Sequence, residues 1–91
     1  MLYAWIGFLR PEVESIPASV QESATDFLSQ PLINIRAGGQ LHDASGKCVG
    51  MLMIFEHDNR AAAEALVNES PYRKAGLYED YRLYEFANEI G

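Results

Sequence analysis

Few side chains in this sequence can move a proton, bind a metal or attack a substrate, and their neighbours limit each one. His42 stands beside Asp43 just before a polar turn. An imidazole there could act as a general base, reaching a partner's cleft in a dimer, or be a solvated histidine at a strand end. His57 lies in the run Glu56-His57-Asp58. On an extended chain successive side chains point to opposite faces, so that run cannot easily close on one ion, and no metal site is expected. Ser70 as a nucleophile needs a nearby base, and neither histidine adjoins it in sequence. Arg36, two residues before Gly38-Gly39, suits bidentate contact with a ligand carboxylate or an ion pair with a neighbouring acid. Cys48 opens an apolar run beside Lys47, and strand burial opposes thiolate formation there. As the one cysteine it also excludes an intramolecular disulfide framework and a cysteine-based zinc site. No cofactor is expected.

These groups belong to 91 residues that are 48% hydrophobic and 22% charged, which fits a single folded domain over residues 1–91. Seven basic against thirteen acidic residues leave a net charge of -6. That balance argues against nucleic acid, whose binders cluster Lys and Arg, and against anionic lipid. Arg73-Lys74 is the only basic pair. No stretch reaches the roughly 18 to 20 apolar residues of a membrane span. Leu2 to Leu9 is apolar but has no basic residue before it, and Arg10-Pro11 closes it, so it reads as a buried strand of a chain beginning at Met1. The composition points to a reducing, cytoplasmic compartment.

The elements that must position the chemistry follow in order. After the first strand, Pro11 and Pro17 bracket an acidic connection. Ser19-Val20-Gln21-Glu22 has capping-box spacing, predicting a helix over Ser19 to Gln30 that Pro31 stops. Ile16, Val20, Ala24, Phe27 and Leu28 fall near one face of it. Leu32 to Leu41 reads as an irregular strand bent at Gly38-Gly39, Asp43 to Lys47 as a hairpin turn, and Cys48 to His57 as a strand. Asp58 is placed to cap a helix through Ala61 to Val67, and Ser70-Pro71 starts a short helical piece ending near Gly76. Leu77 to Phe86 is the last strand. This order predicts an α+β, ferredoxin-like β-α-β-β-α-β domain: a four-stranded antiparallel sheet with both helices on one face. The other face would then expose Trp5, Met51, Met53 and the tyrosines of the last strand, and a homodimer burying sheet against sheet is expected.

The second half resembles the YCII-related family of small dimeric ferredoxin-like proteins. The matching residues are Gly38-Gly39-Gln40-Leu41 with Asp43 and Gly46, Gly50 before an aliphatic strand, and Asp58 with Arg60 to Val67. The most specific part is Ser70-Pro71-Tyr72-Arg73-Lys74-Ala75-Gly76-Leu77-Tyr78-Glu79, similar to the family's Asp-Pro-aromatic-x-x-Ala-Gly-aliphatic-aromatic-Glu segment. The resemblance implies a pocket between the sheet and the first helix. It also implies an acid-base dyad of a first-helix histidine and the Asp-Pro aspartate, used in lyase-type or dehydrochlorinase-type chemistry.

This sequence departs at both dyad positions. The first helix has no histidine, offering Gln21, Glu22, Ser23 and Ala24 there, and Ser70 replaces the aspartate. A serine hydroxyl does not ionise near neutral pH and cannot stabilise an imidazolium as a carboxylate does. Glu22 as the third residue of the helix suits capping better than catalysis. Ser70, Tyr72, Gln21 and Arg36 are therefore expected to hydrogen-bond a small polar or aromatic ligand in the cleft. The alternatives are a lyase or isomerase with a relocated base such as His42, and a structural or interaction module whose cleft is filled by its own side chains.

Overall fold

A computed structural model describes residues 1–30 and 33–90. The elements are β1 (Leu2–Leu9), α1 (Ala18–Leu28), β2 (Asn34–His42), β3 (Cys48–Glu56), α2 (Arg60–Asn68), α3 (Pro71–Lys74) and β4 (Tyr78–Glu85). They form an antiparallel sheet in the order β2-β3-β1-β4, so each βαβ unit is split by a strand from the other half. This is the ferredoxin-like α+β fold. The expected helix stop at Pro31 and strand start at Leu32 lie outside the described residues.

Both alternating sets of β1 are apolar, yet the sheet treats them differently. Tyr3, Trp5 and Leu9 are buried in a core with Met53, Phe55, Ala63, Val67, Tyr72 and Tyr78, whereas Leu2, Ala4 and Ile6 stay partly open and Phe8 is exposed. The register places Trp5 opposite Met53 and Gly7 opposite Met51, so these residues share the helix side. The expectation that Trp5, Met51, Met53 and the tyrosines of the last strand lie on the uncovered face is corrected for all but Tyr84: Tyr78 and Tyr81 share the helix side, and the open face carries Leu2, Ala4, Ile6 and Phe8 with Leu52, Ile54 and Tyr84. Alternation separates two sets, but when both are apolar it does not say which one the helices cover.

The helix starts also differ from expectation. α1 begins at Ala18 after Pro17, with no side-chain cap, so Ser19 already lies inside the helix and the Ser19–Glu22 box is not formed. Pro17 fixes a backbone angle that leads straight into the helix. At α2 the cap is Asn59 rather than Asp58: its side-chain oxygen accepts from the Ala62 amide at 2.8 Å. α3 starts with Pro71 in its first turn, where the missing amide has no intrahelical partner to lose. Gly76 then turns the chain into β4 with a φ of 70°, a left-handed angle that suits glycine.

Three register shifts shape the sheet, one of them at the end of β2 between Leu41 and His42. β2 bulges at Arg36 rather than at Gly38-Gly39, which pair regularly with Met53 and Leu52. Between β1 and β4 the pairing jumps from Phe8–Asp80 to Leu9–Tyr78. That extra residue, Glu79, brings Tyr78 to the same face as Tyr81 and over β1. There Trp5 meets Tyr78 edge to face at 5.6 Å, and Tyr72 and Tyr81 flank it at 6.2 and 6.4 Å.

Candidate functional site

α1 buries none of its residues fully, although Val20 and Ala24 pack against the core. It stands off the sheet and leaves an open cleft of about 390 Å³. The floor is the helix side of the sheet: Trp5 from β1, Ile35, Gly38 and Gln40 from β2, Met51 and Met53 from β3, and Tyr78 from β4. At Gly38, on this floor, an added Cβ would come within 3.7 to 3.9 Å of Leu52, Ile35 and Met53 atoms, ordinary contact without a clash. Gln21, Ala24, Thr25, Phe27 and Leu28 of α1 make the roof, and Ser70, Pro71 and Tyr72 close one end.

Three of the four sequence-expected ligand residues meet here: Ser70, Tyr72 and Gln21. Ser70 is 5% exposed, precedes α3 and makes no side-chain capping bond, so its hydroxyl is not spent on the helix end. Gln21 donates from Nε2 to the Ile16 carbonyl at 3.1 Å, which fixes the amide and leaves its oxygen as an acceptor. Tyr72 is buried, and burial, with a smaller contribution from Cys48, holds its phenol protonated beyond the usual tyrosine range. Tyr78 is pushed up further, by burial first and then by Tyr72 and Cys48.

Arg36 does not line the cleft. Displaced by the β2 bulge, it pairs with Glu56 in solvent, and that guanidinium holds the Glu56 carboxyl below its usual range. His42 also lies outside the wall, at the exposed end of β2, with Nε2 3.1 Å from Gln40 Oε1. Gln40 does line the cleft, so one side chain separates the imidazole from it. The groups that sequence reasoning missed are Trp5, Gln40, Met51 and Met53, while Tyr78, which it assigned to core or dimer packing, lines the floor. Their signal was the cross-strand register, which becomes visible only once strand pairing is known. Among the described residues no three His, Cys, Asp or Glu side chains gather to hold a metal ion, and no helix is long and apolar enough to cross a membrane.

The model of the YCII-related domain matches residues 1–87. The chain belongs to the YCII-related family. Its N-terminal third, which carries none of the family signature noted above, is thus included in the match. No functionally curated protein matches the chain. Among solved structures, it is similar to 5-chloro-2-hydroxyhydroquinone dehydrochlorinase from Burkholderia phenoliruptrix AC1100, in complex with 2,5-dihydroxybenzoquinone. That likeness has 20% identity and a TM-score of 0.84, over 96% of this chain and 94% of the other. Rv0793 from Mycobacterium tuberculosis shares the fold at 12% identity and a TM-score of 0.56, over 99% of this chain and 97% of that one. At these identities the likeness concerns the fold. In this YCII-related chain α1 carries no histidine, and Ser70 precedes Pro71.

Proposed function

We propose that this YCII-related chain binds a small planar aromatic molecule with oxygen substituents in the cleft beneath α1, without the family's acid-base dyad. The observation that carries this reading is a buried serine hydroxyl, free of capping duty, on the wall of an aromatic and methionine-lined hollow. Ser70 and Tyr72 supply hydroxyls at one end and Gln21 an amide oxygen from the roof, while Trp5 and Tyr78 offer ring contacts. The dehydrochlorinase neighbour was captured with a quinone, which supports a ring-shaped ligand. A hollow of about 390 Å³ that its own side chains leave open counts against a purely structural role.

Binding is tested by thermal shift with 4-hydroxyacetophenone, 4-nitroanisole and related rings that are uncharged at neutral pH. A ligand at 100 times its dissociation constant adds about 2.7 kcal/mol of apparent stability. Ser70→Leu fills the hydroxyl's end of the cleft and removes that gain. Full gain in Ser70→Leu would refute the site.

The Gln40–His42 contact favours one second reading, a lyase or isomerase whose base is His42 at the cleft's rim. It requires turnover that rises through the neutral pH range and disappears in His42→Ala. Turnover unchanged in that variant eliminates it.

We also propose that the open sheet face pairs with a second copy of the chain. Leu2, Ala4, Ile6, Phe8, Leu52 and Ile54 form a continuous apolar surface, with Phe8 41% exposed. The chain is acidic overall, yet the acids on this face are neutralised locally: Asp80 by Arg82 at 3.2 Å and Glu56 by Arg36. Two such faces meet without net repulsion, which suits a two-fold dimer. Sedimentation reads a dimer for the native chain and a folded monomer for Ile6→Glu. A native monomer at high micromolar concentration would remove this proposal.

A further inference from the structure

The cleft combines an acidic protein with a wall that carries no formal charge. Among the described residues lining it there is no Asp, Glu, Lys, Arg or His. Its polar groups are hydroxyls, amides and the buried, unpartnered indole N–H of Trp5, which can serve a neutral oxygen but carry no charge to balance an ion. Apart from two phenols, the charged and titratable groups of the neighbouring elements stay out of the wall; on β4, Arg82 pairs with Asp80 at 3.2 Å. On β2, Arg36 pairs with Glu56 and His42 contacts Gln40. On α3, Arg73 lies over the Tyr81 ring at 4.4 Å and Lys74 pairs with Glu69 at 2.7 Å. Glu22 and Asp26 of α1 lie outside the wall, and Cys48 of β3 places its thiol 3.5 Å from the Gly50 carbonyl. The two phenols in the wall, Tyr72 and Tyr78, are both held protonated by burial, so the site already disfavours phenolate.

We propose that this cleft takes its aromatic ligand only in the uncharged form, accepting phenols, their ethers and ring ketones and rejecting carboxylates and phenolates. The inference rests on the cleft being the ligand site and adds the charge state of the ligand. Desolvating an anion against this wall costs free energy that no cation repays, whereas a neutral ring loses little and gains contact with Trp5, Met53 and Tyr78. Selection therefore follows the ligand's own ionisation rather than that of any protein group.

The test uses the native chain with 4-nitrophenol, whose ionisation falls near pH 7, and 4-nitroanisole, its non-ionising ether. Binding is read by quenching of Trp5, the only tryptophan, and by the yellow absorbance of nitrophenolate. At pH 7, adding protein bleaches the yellow band because the bound form is neutral. Between pH 5.5 and 8.5 the apparent dissociation constant of 4-nitrophenol rises about 25-fold as its neutral fraction falls, while that of 4-nitroanisole stays constant. The same profile in His42→Ala assigns the limb to the ligand. Equal or tighter binding of 4-nitrophenol at pH 8.5, a strengthened yellow band, or a limb that vanishes in His42→Ala overturns charge selection while leaving the cleft as the site. Failure of both compounds at every pH overturns the cleft itself.

Discussion

Gly7 tests how the cleft floor is built, because one added methyl group there meets one ring. A Cβ at Gly7 would sit 2.5 Å from Tyr78 Cε1, 2.7 Å from Cζ and 2.8 Å from Cδ1, all inside van der Waals contact. The backbone itself tolerates alanine, since the positive φ values among the described glycines belong to Gly46 and Gly76. Two effects therefore compete in Gly7→Ala. Restricting the unfolded chain stabilises by about 0.4 to 1 kcal/mol where no strain arises. Overpacking a buried ring costs about 1 to 3 kcal/mol, and Tyr78 cannot swing away cheaply between Trp5, Tyr72 and Tyr81. The clash wins, and the net loss is about 1 to 2 kcal/mol. Urea titration followed by circular dichroism measures it. In a Tyr78→Val background the ring is gone, so Gly7→Ala turns neutral or stabilising, and the two changes couple by about 2 kcal/mol. A neutral Gly7→Ala in the native background, or the same loss in both backgrounds, would refute the packing argument.

Asn59→Ala loses the α2 cap and about 1 kcal/mol in the same titration, whereas Asp58→Ala stays within about 0.5 kcal/mol; the reverse order would restore Asp58 as the cap. Asp43 accepts from Ser45 Oγ at 2.7 Å, the Ser45 amide at 2.9 Å and the Lys47 amide at 3.1 Å, and these bonds hold its carboxyl below the ordinary range. A folded-state pKa below the unfolded value of about 3.9 gives stability that is present above that pH and lost as pH falls through the folded value. Urea midpoints at stepped pH should show a smaller acid-side decline in Asp43→Asn than in the native chain, and equal slopes would contradict the assignment. Trp5→Phe keeps the floor apolar but removes the fluorescence response to 4-nitroanisole while calorimetry still detects binding; a persisting optical response would place the ligand elsewhere.

Much of the fold was legible because punctuation and periodicity agree along the chain. Arg10-Pro11 ends β1, Asp43 to Lys47 turns the β2–β3 hairpin with Gly46 at a φ of 88°, and Ser70-Pro71 separates α2 from α3. Less was legible in the details that depend on neighbours in space. The Ser19 box failed because Pro17 had already set the helix entry, and Asn59 capped α2 because its extended backbone, rather than that of Asp58, precedes the first turn. The same division runs through the site. Ser70, Tyr72 and Gln21 lie along the cleft, but Arg36 is carried out of it by a bulge that two nearby glycines had suggested for a different position.

Sequence by itself determined the element order, the ferredoxin-like class, the absence of histidine from the first helix and the serine before Pro71, because residue identity and local backbone preference suffice for each. Tertiary structure alone decided which apolar set of β1 the helices cover and which aromatic rings make the floor. With both sets apolar, burial is chosen by pairing and packing rather than by pattern. The shift at Leu9–Tyr78 is such a choice: one extra residue in β4 swings a tyrosine over Gly7 and into the cleft, and only the register between distant strands shows it.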